Sequence, residues 1–116
     1  MSTIRKYDSQ TTPDVIAGRV AITDGNSTEV IAAQGARQLM MDSLSIVNMS
    51  GTNVYVDILS GVTIIWTAAA PSGAGGSNMP FPKPIPAIAG QALNARVSTG
   101  VTTVYVSIGA HILPAA

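Results

Sequence analysis

No stretch of this chain sustains an apolar period of three to four residues. Its apolar residues come instead in short β-branched runs, broken repeatedly by Gly, Pro, Asp and Asn. Val15 to Thr23 is one such run, interrupted by Gly18 and Arg19, and Asp24-Gly25-Asn26 is a strong turn signal after it. Glu29 to Ala33 resumes as a short strand that Gln34-Gly35 ends. Leu39 to Met49 alternates loosely, with Leu44 and Ile46 on one side, until Ser50-Gly51. A helical turn has room only between Gly35 and Asp42. The pattern predicts an all-β fold, an antiparallel β-sandwich or jelly roll of about seven or eight strands. Residues 1–14 are polar and without period. They read as an extended N-terminal arm, followed by one β-sandwich domain over 15–116.

Two hairpins are legible. A two-residue loop at Ser60-Gly61 pairs Leu59 with Val62, Asp57 with Ile64 and Tyr55 with Trp66. One face then holds Val54, Val56, Ile58 and Ile65. The other holds Tyr55, Leu59, Val62, Ile64 and Trp66, with Asp57 its only charge. Both faces are largely apolar, whereas an antiparallel sheet in a small sandwich keeps one face wet. Tyr55, Leu59, Val62, Ile64 and Trp66 are therefore candidates for a subunit interface. The second hairpin, turning at Thr99-Gly100, separates Leu93, Ala95, Val97, Val104, Val106, Ile108 and Ile112 from Asn94, Arg96, Ser98, Thr103, Tyr105 and Ser107. That is a core face and a solvent face.

Ala70 to Asn78 is a flexible loop by composition, and Pro80, Pro82, Pro84 and Pro86 follow at every second residue. In an extended chain all four point one way, with Phe81, Lys83 and Ile85 opposite. Proline lacks the N–H of a sheet ladder, so this segment is expected to be an edge strand guarded against further pairing. Phe81 and Ile85 join the interface candidates.

Composition narrows the chemistry. Charged residues make up 10% of the 116 residues, against about 25% in an average domain. All six acids precede residue 58, so residues 1–57 carry net −2 and 58–116 net +2. A neutral chain whose basic residues cluster only at Arg5-Lys6 lacks the footprint of a nucleic-acid binder. Without cysteine there is no thiol nucleophile, disulfide or thiolate metal site. His111 stands alone, no spacing brings Asp42 and Asp57 together, and Asp24-x-Asn26-x-x-Glu29 falls short of a calcium loop. No catalytic residues, cofactor or metal are expected. The longest apolar stretches fall far short of a membrane span, the first residues lack the apolar core of a signal peptide, and no membrane partner is expected. Asn26-Ser27-Thr28 and Asn48-Met49-Ser50 match the glycosylation sequon by chance.

The order of segments carries a resemblance. Gly18-Arg19-Val20-Ala21-Ile22-Thr23-Asp24-Gly25, Thr28 to Gly35, Leu44 to Ser50, Asn53 to Ile58 and Val62 to Trp66 precede a Gly-rich loop and a Pro-rich strand. Ala92 to Ala95 and Val104-Tyr105-Val106 close the chain. Over residues 16–113 this resembles the small head decoration (cement) proteins of tailed bacteriophages. The resemblance implies a non-enzymatic virion protein with a jelly-roll subunit. It further implies a homotrimer on the outer capsid surface that bridges major capsid protein subunits, assembled in the bacterial host cytoplasm. Arg5, Lys6 and Tyr7 of the arm are the candidates for capsid contact. The alternative is a carbohydrate-binding, tail or neck module of a virion. Trp66 with Tyr55 would be the glycan platform.

Overall fold

The computed structural model describes residues 14–98 and 103–113. Among the described residues there are eight strands: β1 (Asp14–Ile22), β2 (Thr28–Ile31), β3 (Gln38–Asn48), β4 (Val54–Ser60), β5 (Thr63–Ala70), β6 (Gly75–Pro86), β7 (Leu93–Val97) and β8 (Val104–Leu113). β1 begins at Asp14, the last residue assigned to the arm. Residues 1–13, including Arg5, Lys6 and Tyr7, lie outside the described residues, as does the Thr99-Gly100 turn. Gly35 to Asp42 forms a turn and the start of β3 rather than a helical turn.

The strands form two four-stranded sheets, ordered β1-β8-β3-β6 and β2-β7-β4-β5, with every neighbouring pair antiparallel. All connections switch sheets except β4 to β5, which is the one sequential hairpin. This is the jelly-roll form of the β-sandwich. The expected second hairpin is therefore not formed: β7 lies in the second sheet and β8 in the first. Its inner and outer faces nonetheless hold. Leu93, Ala95, Val97, Val104, Val106, Ile108 and Ile112 are all buried, because alternation depends on strand parity and not on the partner.

The core lies between the sheets. Leu39, Met41, Leu44 and Ile46 from β3 meet Val56, Ile58, Leu93 and Ala95 of the opposite sheet. Each fully buried aliphatic side chain here contributes about 1.5–3 kcal/mol. The inward parity of β3 changes from odd to even at Asp42. There the register with β8 slips between Met41 and Ser43, so Asp42 is the extra residue of a bulge. On the other side of β3 the register with β6 jumps from Met41–Ile85 to Ser43–Pro80. Residues 81–84 therefore arch out of the ladder, which suits a segment in which Pro82 and Pro84 lack N–H groups. β6 is an edge strand, as its prolines require. It starts at Gly75, however, so Gly75 to Asn78 belongs to the sheet and not to a loop.

At the β3–β4 corner Asn48 is 0% exposed. Its Nδ2 donates to the carbonyls of Thr52 (2.7 Å) and Ala70 (2.8 Å), and its Oδ1 accepts from Ser50 N (2.9 Å) and Ser50 Oγ (2.6 Å). The sequon at Asn48 thus has its side-chain amide sealed inside the fold.

Candidate interaction surface

The β4–β5 hairpin turns through Gly61-Val62, one residue later than the spacing suggested. Gly61 has φ +60°, as the first position of a tight hairpin turn demands of glycine. Ser60 pairs with Thr63 and Leu59 with Ile64. Ile65 then bulges, and Ile58 pairs with Trp66, Asp57 with Thr67 and Tyr55 with Ala69. Ser60 anchors this arrangement: it is buried, and its Oγ accepts from Ile88 N at 2.8 Å.

This register corrects the expected face. Trp66 lies beside Ile58 on the core-facing side and packs edge-on against Phe81, ring centroids 5.0 Å apart at 77°. Leu59 is only 2% exposed, so its own chain covers it and it offers no surface to a partner. Phe81 and Ile85 are half-buried and also pack on the core. Tyr55 (62% exposed) points the other way from Trp66, so the two rings form no common platform. Of the expected interface residues, Tyr55, Val62 (93% exposed) and Ile64 remain on the surface.

Val62 and Ile64 gain a neighbour that the sequence did not single out. Ile88, about half-exposed, is brought to the hairpin tip by its backbone bond to Ser60. Gly61 N donates to Ala92 O at 3.0 Å, and Asn94 Nδ2 donates to Gly61 O at 2.9 Å, which fixes the tip against the β6–β7 connection. Val62, Ile64 and Ile88 are thus exposed apolar residues near one end of the sandwich. The adjoining β5–β6 flank also holds Trp66 Nε1, buried without a hydrogen-bond partner. An unmet buried donor of this kind costs about 1–3 kcal/mol.

The outer faces are polar where the sequence indicated. Asp57 accepts from Thr67 Oγ1 at 2.8 Å and from Arg96 Nη2 at 3.2 Å, a row across β5, β4 and β7. Both ion-pair partners are partly solvated, so Arg96→Ala is expected to shift urea-unfolding stability by under about 1 kcal/mol. On the first sheet Arg19 stacks over the Tyr105 ring at 4.6 Å. Beside it lies a shallow depression of about 480 Å³, floored by Ala17, Gly18, Ser43, Ser45, Ser107 and Gly109.

The acids separate as their strands do. Asp42 lies in one sheet and Asp57 in the other, so they are not a carboxylate pair. Asp42 instead meets His111, whose Nδ1–H donates to both carboxylate oxygens at 2.9 and 2.8 Å. Sixty-nine residues separate the two. The β3 bulge that joins them has no sequence signature, and sequence reasoning missed the pair. Asp24 Oδ1 accepts from Asn26 N at 2.9 Å, an ordinary Asx turn. Among the described residues no group of three His, Cys, Asp or Glu could hold a metal ion, and no helix is long and apolar enough to cross a membrane.

No protein-family model matches the chain, and neither does any curated protein. Solved structures do. A chain of the acidic stable capsid of Helicobacter pylori bacteriophage KHP30 aligns at TM-score 0.60 and 11% identity, covering 88% of this chain and 90% of its own. A chain of the cyanophage Pam1 capsid asymmetric unit aligns at 0.54 and 14%, covering 87% and 84%. The CBM36-1 domain of a multidomain xylanase from the hindgut metagenome of Trinervitermes trinervoides aligns at 0.50 and 12%, covering 90% and 93%. At these identities the likeness is one of fold.

Proposed function

We propose that this chain is a non-enzymatic structural protein of a bacteriophage virion: a decoration (cement) subunit on the outer head surface. In this reading it assembles as a homotrimer and adds contacts between capsomers. The observation that carries it is the jelly roll shared over almost the whole chain with chains of two phage capsids. The exposure of Val62, Ile64 and Ile88 near one end of the sandwich supports it, because apolar surface favours contact with other chains over contact with water. Arg5, Lys6 and Tyr7 are proposed to contact the major capsid protein. Repetition over a symmetric shell multiplies each weak contact, by about 100-fold or more where geometry permits.

The test is co-sedimentation of purified protein with undecorated heads, followed by imaging. Pelleting with heads and density at capsomer junctions are expected. Protein left in the supernatant would overturn the reading. Removing residues 2–13 is expected to weaken head binding about tenfold or more while leaving the fold intact by circular dichroism. Unchanged affinity would remove the arm from the mechanism.

A second reading, glycan binding on the virion, draws on the carbohydrate-binding neighbour. With Trp66 and Tyr55 on opposite faces it would need the depression beside Arg19. Glycan-array binding lost in Arg19→Ala, with head binding unchanged, would favour it.

A further inference from the structure

We propose that the outer edge of β5 is a strand-addition site, and that its occupant is the N-terminal segment, residues 1–13, of a second copy of this chain. The inference rests on the homo-oligomeric part of the proposed function. It begins with the four sheet edges, β1, β6, β2 and β5. β1 and β2 close on one another, since the Val30 carbonyl lies directly against Gly18. β6 carries Pro80, Pro82, Pro84 and Pro86, and so cannot donate a regular ladder. β5 has neither proline nor charge along its eight residues.

The free backbone groups of β5 can be identified. Tyr55 turns its own N–H and C=O toward Ser98, bonding Ser98 Oγ at 3.0 Å and Ser98 N at 2.8 Å. Its partner on the other side, Ala69, therefore faces away from β4, and by period two so does Thr67. The Ala69 carbonyl accepts from Ser77 Oγ at 2.8 Å. From Thr67 toward the hairpin the edge is open, and Ile64 and Val62 border it. An open, neutral, β-branched edge of this kind is a template for an incoming strand.

The occupant follows from what else the chain offers. The folded part of a second copy has no other unprotected edge, whereas residues 1–12 are twelve consecutive residues without proline. They end at Pro13, immediately before β1. Thirteen extended residues span roughly 43 Å. β5 lies on the flank opposite β1, so a chain's own segment would spend roughly 25 Å crossing the sandwich before pairing could start. A neighbour's segment makes no such detour. Passing each segment to the next copy is a head-to-tail contact, the kind that builds a cyclic oligomer when the rotation between copies closes. Pairing would occupy only the main chain, so it leaves the side chains of Arg5 and Tyr7, two residues apart, available for the proposed capsid contact.

The experiment compares the full chain, a deletion of residues 2–13, Thr67→Pro and Ile64→Lys, by hydrogen exchange over residues 63–70 and by light scattering. Thr67 donates nothing to β4, so proline there removes no ladder bond. The Thr67 and Ala69 amides of the full chain are expected to exchange about tenfold or more slowly than in the deletion. A synthetic peptide of residues 1–13 should restore that protection to the deletion. All three altered proteins should be monomeric with unchanged circular dichroism. Three results would each overturn the proposal: equal exchange in full chain and deletion, an oligomer that survives the deletion through β5–β5 pairing, or protection that persists in a dilute monomer. No heads enter the measurement, so its failure is separate from a failure to bind capsid.

Discussion

Gly18→Ala is expected to lower unfolding stability by about 3–5 kcal/mol, at the extreme end of single substitutions. Gly18 sits in β1 where β2 crosses it. A Cβ built there falls inside van der Waals contact of the Val30 carbonyl oxygen and lies 3.0 Å from the Val30 carbonyl carbon. The obstacle is backbone, so no rotamer change relieves it. Either β1 leaves β8, its neighbour along all nine residues, or β2 leaves β7. For a domain of this size the loss corresponds to roughly 12–30 °C in melting temperature. Gly35→Ala is the control for generic loss of glycine: nothing lies within 4 Å of its Cβ position, and its φ of +63° confines the cost to about 1 kcal/mol of local strain. A Gly18→Ala protein that unfolds in urea within 1 kcal/mol of the parent would show that the corner is looser than this packing.

Asn48→Ala is expected to cost about 3–4 kcal/mol, read from the urea midpoint at constant m-value. The substitution removes four hydrogen bonds, leaving the buried Ser50 N–H without its acceptor and the Ala70 carbonyl without this donor, while the Ser50 hydroxyl keeps its bond to the Thr52 carbonyl at 3.0 Å. Asn48→Asp, nearly isosteric, should be no better. It keeps the two acceptor bonds from Ser50 but turns a carboxylate oxygen toward two carbonyl oxygens. Because the Ala70 carbonyl belongs to the end of β5, either change should also raise hydrogen exchange at the β5–β6 connection. A loss below 1 kcal/mol would mean that water enters the corner and replaces the lost bonds.

The class of fold was legible because alternation is local. β7 and β8 show their inner and outer faces correctly even though the hairpin assumed for them is not formed. The prolines of β6 likewise place it at an edge whatever its neighbour. What failed was register. A one-residue difference in where the β4–β5 turn closes, together with the extra residue Ile65, carried Trp66 to the core-facing side and away from Tyr55. A bulge has no spacing rule that a single sequence exposes, and a slip of one residue inverts every side chain beyond it. The same limit hid Asp42 and His111 from one another, since the bulge that aims Asp42 is set by packing between β3 and its two neighbours.

By itself, the sequence determined the strand content, the solvent face of β8, the guarded edge at β6 and the scarcity of reactive groups. Each depends on residue type and period within one segment. The tertiary structure alone decided that successive strands alternate between two sheets and that Leu59 is covered by its own chain. It also decided that Val62, Ile64 and Ile88 share one end, and that β5 is the edge left open. Those outcomes depend on which segments meet across long separations, and the free energy that selects among such pairings belongs to the closed core as a whole.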